Sequence, residues 1–231
     1  MVDSLWHQSP SRTLVLGCIL TFIAAVLLII AFACPYWMES DSETDRRFVR
    51  MGLWSVCFNN YKHLPYSYDR KFDGCHWIYG YEYEDIRDWL QPGWFVFVQT
   101  MMSFALWFSM MALFTVFAIV MRVLMKLEVF LLASSAVLCV LTALPLFLAV
   151  AVFGGLCYDR SWLPGTSFNY ISWAYALGVI SIFFHILSSA CLFSEAGKAR
   201  ERRRMGSNLV YNIPSRGIVM TNNSPPSRRT N

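Results

Sequence analysis

The sequence predicts an all-α membrane protein in which four spanning helices carry a small β-sheet outside the bilayer. Three observations support this fold class. Hydrophobic residues make up 56% of the 231 and charged residues only 15%, a composition that an ordinary soluble domain does not need. Four apolar runs each reach the roughly 20 residues that cross a hydrocarbon core. One long polar segment, which contains two cysteines, separates the first two runs.

The four runs are assigned to spans at 14–36, 93–121, 129–156 and 171–194. Inside a bilayer they must be helical, because an unsatisfied backbone group there costs several kcal/mol. The first run is too long for a cleaved signal peptide, and no small-residue cleavage pattern follows it. We therefore expect the first helix to be retained.

The distribution of lysine and arginine predicts the orientation. Four spans place 1–13, 122–128 and 195–231 on one side, and these segments hold 11 of the 19 basic residues but only 4 of the 15 acidic residues. The positive-inside rule makes this side cytoplasmic. The polar segments 37–92 and 157–170 are then extracellular loops, where cysteines meet an oxidising environment.

The first loop holds Cys57 and Cys75, which are well placed to form a disulfide. A bridge that closes a loop of this size is worth roughly 3 kcal/mol in the chain-entropy model. The alternative is that both cysteines stay free. Gly52-Leu53-Trp54 stands just before the first cysteine, and we expect Trp54 to bury its ring beside the bridge.

Two stretches of the first loop predict β-strands. Residues 47–58 are rich in Phe, Val, Leu and Trp, with a turn or bulge at Gly52, and residues 75–83 continue the pattern after a polar connection. A small antiparallel sheet stapled by one disulfide fits both stretches. Its edges would be available for pairing with a neighbouring chain.

Apolar residues in both loops are candidate contacts with other chains. Tyr83, Ile86 and Leu90 recur at helical spacing, which predicts a short amphipathic helix on the membrane surface. Its apolar stripe either covers the bundle or contacts a neighbouring copy. In the second loop, Trp162 and Leu163 precede a Pro-Gly turn and project as plausible contacts. Ile86, Leu90, Trp162 and Leu163 are therefore candidates for lateral or trans contacts.

The last span contains His185 and Cys191. A histidine inside a membrane serves a proton path or stays a neutral imidazole bonded to a serine or a backbone carbonyl. The spans offer it no charged partner, which favours the neutral form.

Cys191, near the cytoplasmic face, is a candidate for palmitoylation. The tail 195–231 is polar and contains prolines, so it is predicted to be disordered, with a basic cluster beside anionic lipids.

The residues around the first loop resemble a family signature. The claudins, with the related peripheral myelin, epithelial membrane and calcium-channel gamma subunit proteins, carry a W, GLW, C, C pattern. This chain matches it with Trp37, Gly52-Leu53-Trp54, Cys57 and Cys75. The resemblance covers residues 14–193. The interval between the cysteines is longer than in vertebrate members and, with Arg87 before the second span, looks more like the invertebrate claudins of septate junctions.

The resemblance implies a left-handed four-helix bundle under an extracellular sheet, at lateral cell-cell junctions of the plasma membrane. The implied role is to seal the space between epithelial cells in septate or tight junctions. The implied partners are membrane lipids, other copies or claudin-like chains in the same and opposing membranes, and junction proteins. The alternative is an auxiliary subunit of a channel or receptor, as the gamma-type relatives are. The chain ends in Arg-Arg-Thr-Asn rather than a hydrophobic residue, which argues against a PDZ scaffold.

Carboxylates at the start of the first loop are candidates for charge selectivity. They are Glu39, Asp41, Glu43 and Asp45. Their alternation puts all four on one side of an extended chain. Screening confines a surface charge to about 8 Å at physiological salt, so these groups act on ions only in a narrow space. The segment is either a solvated turn or the lining of a path between cells that prefers cations.

The sequence offers no chemistry for an enzyme. Neither loop holds a nucleophile with its base and orienting group, a glycine-rich phosphate loop or a metal-ligand spacing. We therefore expect no cofactor, no metal and no nucleic-acid partner, and we interpret His76 as sheet surface. Two other classes of multi-span membrane protein do not fit the loops. A tetraspanin would carry a Cys-Cys-Gly in a large second loop, whereas the large loop here is the first and lacks that motif. A connexin-like channel would carry several cysteines in both loops, which this chain does not.

Overall fold

The computed structural model describes residues 11–41, 47–63, 71–122, 125–160, 162–164 and 168–211. Within these residues, four helices are long and apolar enough to cross a membrane. These helices are α1 (Arg12–Ala33), α3 (Gly93–Val120), α4 (Glu128–Leu156) and α5 (Trp173–Tyr211), and a short helix α2 (Arg87–Leu90) precedes α3. The prediction of four spans is confirmed.

Small residues bring the first and last spans together. Helix α5 packs along both α1 and α4, and α3 packs along α4. A Cβ atom on Gly17 of α1 would lie 3.1 Å from Leu192 Cγ and 3.3 Å from Cys191 Cβ of α5. Ala24 and Ala25 of α1 are fully buried. Close backbone approach of this kind is how helices gain van der Waals contact in lipid.

Serines of α5 hydrogen-bond to its neighbours. Ser188 Oγ donates to Gly17 O at 2.9 Å, and Ser189 Oγ donates to Ala136 O of α4 at 2.9 Å. Lipid chains offer no hydrogen-bond partner for a hydroxyl group, so each of these bonds favours the arrangement in which α5 lies against α1 and α4.

His185 is fully buried in the bundle. Its Nδ1 lies 2.9 Å from Ser181 O, and its Nε2 lies 3.2 Å from the hydroxyl of Ser109 in α3. The prediction that the imidazole bonds to a serine or a backbone carbonyl is confirmed, and the structure shows both partners. The palmitoylation of Cys191, a free and half-buried cysteine, stays a prediction.

The described strands form one antiparallel sheet at the end of the bundle where α1 ends and α5 begins. We call this the sheet end, and the opposite end the tail end. The strands are β1 (Met38–Ser40), β2 (Phe48–Met51), β3 (Ser55–Tyr61), β4 (Phe72–Trp77) and β5 (Asn169–Ile171), in the order β4-β3-β2-β1-β5. Strand β1 follows α1 and β5 precedes α5, and Met38 of β1 pairs with both Met51 and Ile171. The sheet is therefore continuous with two of the spans.

The last strand of the first loop is shorter than predicted. The sequence pattern continues the strand to Tyr83, but β4 ends at Trp77 and a 3-10 helix spans Tyr81–Ile86. Gly80 makes the turn between them, and its N–H donates to Trp77 O at 2.8 Å. The acidic residues that follow are poor strand formers, which favours the helical turn.

One hydrophobic core joins the sheet to the spans. Met38, Met51 and Val56 occupy matching positions of β1, β2 and β3. They are fully buried in the same cluster as Phe95 of α3 and Phe153 of α4. Because the inner side of the sheet is buried on the helix ends, the sheet does not depend on a separate core of its own.

The prediction of a disordered tail from Glu195 is wrong for residues 195–211, because α5 continues to Tyr211. Ala196 and Ala199 of this extension are buried against α3 and α4. The side chain of Glu195, only 1% exposed, lies 3.5 Å from Lys198 Nζ and 3.5 Å from Arg202 Nη1. Good helix formers and a packed face thus carry the helix beyond the span. Residues 212–231 lie outside the described part.

Candidate functional site: the sheet end

The side chain of Trp37 anchors the sheet end. It is fully buried, and its Nε1 donates to Ala31 O in the last turn of α1 at 2.6 Å. Its ring meets Phe153 of α4 edge-on at 4.9 Å between centroids and Tyr175 of α5 at 5.7 Å. One indole therefore contacts three spans.

The backbone beside Trp37 connects the same parts of the fold. Its N–H donates to Met51 O of β2 at 2.9 Å, and its carbonyl accepts from Ser172 N at 2.9 Å. Ala174 N, in the first turn of α5, donates to Tyr36 O at 3.1 Å. The end of α1, the sheet and the start of α5 are thus bonded together at one point.

Gly52 allows the turn between β2 and β3 to lie against the end of α1. Its N–H donates to Ser55 O at 2.9 Å. A Cβ atom here would lie 2.5 Å from Cys34 O and 2.6 Å from Pro35 Cα, both backbone atoms. Leu53, the next residue, is fully buried. This close approach explains why the turn needs glycine.

Trp54 does not lie where the sequence suggested. Its ring packs on Phe32 of α1 at 5.1 Å between centroids and on Tyr79 at 6.4 Å. The expectation that its ring would be buried beside the disulfide is wrong, because the turn at Gly52 directs this residue towards Phe32 of α1. Gly52, Leu53 and Trp54 together fasten the sheet to the bundle.

A buried amide that the sequence analysis missed holds the same turn from α3. Gln99 is 3% exposed, and its Nε2 donates to Leu53 O at 2.7 Å. Its Oε1 accepts from Tyr79 Oη at 3.2 Å and from Gln91 Nε2 at 3.2 Å. The available signal was a lone amide within an apolar span, where a polar group needs a partner.

The predicted disulfide is confirmed: Cys57 and Cys75 are bonded and stand opposite each other on β3 and β4. Cys157, at the start of the second loop, is a free cysteine and is buried. Burial raises the pKa of the Cys157 thiol to about 11. Because thiolates are the species that exchange with disulfides, Cys157 is a weak competitor for this bond.

On the side of the sheet opposite Met38, Met51 and Val56, a row of cross-strand neighbours contains two charged residues and the disulfide. Its members stand in register on four strands: Glu39, Arg50, Cys57 and Cys75. Arg50 Nη1 donates to Tyr36 Oη at 2.7 Å, and its guanidinium carbon lies 4.7 Å from the centre of that ring. The carboxylate of Glu39 accepts from the Ser172 hydroxyl. Glu39 is therefore part of the sheet's bonding.

The structure describes two of the four candidate selectivity carboxylates. Glu39 is half-buried in β1, whereas Asp41 follows β1 and is exposed. The N–H of Asp41 donates to Phe168 O at 2.9 Å. Glu43 and Asp45 lie outside the described residues. Of the two candidate carboxylates that the structure describes, Asp41 is the one exposed to solvent.

The four candidate contact residues are buried inside the chain, so their proposed role as contacts with other chains is wrong, and the alternative, in which the stripe of Ile86 and Leu90 covers the bundle, agrees with the structure. Ile86 is 2% exposed, Leu90 is fully buried, and Trp162 and Leu163 are each 3% exposed. Trp162 Nε1 donates to Leu90 O at 3.2 Å, and its ring lies 4.6 Å from that of Trp94. The second loop folds over α2, which is why the apolar stripe faces inward.

Arg87 and Tyr83 donate hydrogen bonds to backbone carbonyls around the turn that follows β4. Arg87 Nη2 lies 3.4 Å from Tyr79 O and donates to Gly80 O at 3.3 Å. Tyr83, which the sequence did not single out beyond its apolar spacing, donates through its hydroxyl to Val56 O at 2.9 Å. Burial raises the pKa of the Tyr83 phenol, so it remains a protonated donor.

These contacts define a class of protein: a multi-pass membrane protein whose disulfide-bonded sheet is fastened to the ends of its four spans. A family model described as PMP-22/EMP/MP20/Claudin tight junction matches residues 22–194. The chain belongs to this family, as the resemblance of the sequence indicated. No curated protein shows a significant match to the chain. Among the described residues, no three His, Cys, Asp or Glu side chains are grouped to hold a metal ion.

Replacing Cys57 with serine is expected to destabilise the sheet by roughly 3 kcal/mol. The spans should still insert, since apolar length drives insertion, but delivery to the cell surface should fall. Surface biotinylation measures this, with Cys34→Ser, a free cysteine at the same end, as the control. Equal delivery of Cys57→Ser and Cys34→Ser, or free thiols at positions 57 and 75 in the mature protein, would contradict the prediction.

Proposed function

We propose that this chain is a claudin-like protein of cell-cell junctions that contributes to the paracellular barrier of an epithelium, in septate or tight junctions. Family membership supports the class. The observation that carries the proposal is the attachment of the sheet to the spans through the buried side chains of Trp37 and Gln99. A contact across a narrow intercellular space needs a surface held at a constant height above the membrane.

The orientation in this proposal follows from charge. The segments 1–13, 122–128 and 195–231, whose described parts lie at the tail end, hold 11 of the 19 lysine and arginine residues, and the positive-inside rule places such a side in the cytoplasm. The sheet end is then extracellular, where a disulfide such as Cys57–Cys75 persists.

The surface proposed for other copies is the β4 edge of the sheet. Within the described strands, β4 has a neighbour on one side only. Trp77 is 58% exposed and Tyr81 is 76% exposed, and large aromatic residues are enriched in protein interfaces. An edge strand can also extend a sheet into a second chain. This edge replaces Ile86, Leu90, Trp162 and Leu163 as the candidate contact.

Depleting the protein from an epithelium that expresses it tests the barrier role. We expect a fluorescent tracer to cross the cell layer faster, and we expect wild-type protein, but not Cys57→Ser, to restore the barrier. An auxiliary channel subunit would instead spread over cell bodies and co-purify with a channel, and its loss would leave tracer flux unchanged. That second pattern would refute the junction proposal.

Charge selectivity is a finer proposal that rests on the junction role. Because Glu39 is bonded within the sheet, we expect Asp41, Glu43 and Asp45 to carry most of any preference for cations. Replacing these three with Asn, Gln and Asn should lower the sodium-to-chloride preference in dilution-potential measurements. The matched control removes three exposed charges elsewhere at the sheet end: Glu82→Gln, Glu84→Gln and Asp88→Asn. An unchanged ratio, with the variant correctly located at contacts, would mean that these carboxylates line no path.

A further inference from the structure

An open cavity of about 470 Å³ lies at the tail end, between the start of α4 and the extension of α5. Its basic rim consists of Lys126, Arg200 and Arg203, and its apolar wall includes Phe130 and Ala133 of α4. Among the described residues that line it, none is acidic. The cavity therefore combines three cations with a hydrocarbon surface.

The wall of this cavity belongs to a membrane-spanning helix. Phe130 lies in the first turn of α4 and is 67% exposed, as expected of a side chain that faces lipid. The rim comes from residues outside the spans: Lys126 from the connection before α4, and Arg200 and Arg203 from the extension of α5. The wall and the rim thus meet where hydrocarbon gives way to the polar face of the bilayer.

The rim is held in place by the extension of α5. Arg203 Nη2 donates to Lys126 O at 2.7 Å, which fixes the extension against the connection between α3 and α4. The buried faces of Ala196 and Ala199 keep the same helix packed on the bundle. The three cations are therefore positioned by folded structure rather than carried on a free tail.

Two nearby acidic residues, Glu195 and Glu128, face cations that do not line the cavity. Glu195 pairs with Lys198 and Arg202 at 3.5 Å each, and Arg202 also lies 3.9 Å from the carboxylate of Glu128. Among the described residues, those that line the cavity supply no carboxylate.

We propose that this cavity binds an anionic membrane lipid whose headgroup carries a phosphomonoester. The phosphate would lie among Lys126, Arg200 and Arg203, since guanidinium and ammonium groups form charge-assisted hydrogen bonds to phosphate oxygens. An acyl chain would lie along Phe130 and Ala133. A soluble phosphate compound would leave that apolar wall in water, which is why we commit to a lipid. The site depends on the cytoplasmic orientation of the tail end and not on the junction role.

Native mass spectrometry of the purified full chain tests the site, with phosphatidylinositol 4-phosphate as the probe and phosphatidylcholine as the neutral reference. We expect one probe lipid retained per chain, in preference to the reference. The variant Lys126→Gln/Arg200→Gln/Arg203→Gln should bind it at least tenfold more weakly. The charge-matched control Arg204→Gln/Arg228→Gln/Arg229→Gln, which changes none of the described residues that line the cavity, should stay within twofold of wild type.

A second variant keeps the test decisive if the triple variant does not fold. Ala133→Phe fills the apolar wall without changing charge, and we expect it to weaken lipid binding while the chain remains monodisperse with its disulfide formed. Equal losses in both triple variants would show a diffuse attraction to basic residues and would overturn the proposal. Equal competition by soluble inositol 1,4-bisphosphate would overturn it as well, because the apolar wall would then contribute nothing.

Discussion

Replacing Trp37 with alanine is expected to lower the free energy of unfolding by about 3 to 5 kcal/mol, the range for deleting a buried tryptophan. The fully buried indole contacts Phe153 and Tyr175 and donates to Ala31 O, so its loss opens a cavity where the sheet meets three spans. We expect little or no protein at the cell surface. Surface biotinylation and thermal unfolding in detergent measure the two effects.

Two further variants separate the causes. Trp37→Phe keeps an aromatic ring but loses the hydrogen bond, and it should fall between wild type and alanine. Trp107→Ala removes an indole that is 59% exposed on α3 and should be delivered normally. If Trp37→Ala and Trp107→Ala have the same unfolding temperature and the same level at the cell surface, then Trp37 does not hold the sheet to the bundle.

Replacing Gly52 with alanine is expected to cost more than about 3 kcal/mol, beyond the usual range for adding a single methyl group to a packed site. The added Cβ would meet Cys34 O at 2.5 Å and Pro35 Cα at 2.6 Å. Backbone atoms cannot rotate away as a side chain can, so the whole turn between β2 and β3 must move. We expect Leu53 to leave the core and the disulfide to form inefficiently.

Gly155 of α4 provides the matched control, because a Cβ atom there has no neighbour within 4 Å. Alanine in a helix is favoured over glycine, so Gly155→Ala should be neutral or mildly stabilising. The comparison is made by thermal unfolding and by the fraction of chains with a closed Cys57–Cys75 bond. Similar values for Gly52→Ala and Gly155→Ala would show that the turn does not lie as tightly on α1 as described.

The sequence predicted the parts of the fold that leave a local chemical signature. Apolar length identified the spans, because hydrocarbon thickness sets it. Cys57 and Cys75 could be paired because they share one polar loop. Gly52 could be placed in a turn because glycine interrupts an extended pattern. Strands β1 and β5 have three residues each, too few to show alternation, and they formed because the spans bring them together.

The positions that the sequence misjudged depend on contacts between distant segments. Ile86 and Leu90 form an apolar stripe, but periodicity does not say whether a stripe faces the same chain or another one. The second loop decides this by placing Trp162 on α2. The tail shows the same effect, since burial of Ala196 and Ala199 extends a helix that composition alone assigned to disorder. Gln99 was missed because its partner, Leu53 O, is 46 residues away.

The proposed junction role is tested most directly by where the protein lies when only some cells express it. Tagged protein would be expressed in part of a culture of cells that form no tight or septate junctions of their own. We expect fluorescence to be enriched where two expressing cells touch and not where an expressing cell touches a non-expressing one, and we expect Cys57→Ser to abolish the enrichment. Uniform fluorescence over the cell surface, with the Cys57–Cys75 bond formed, would contradict a role in contact between cells.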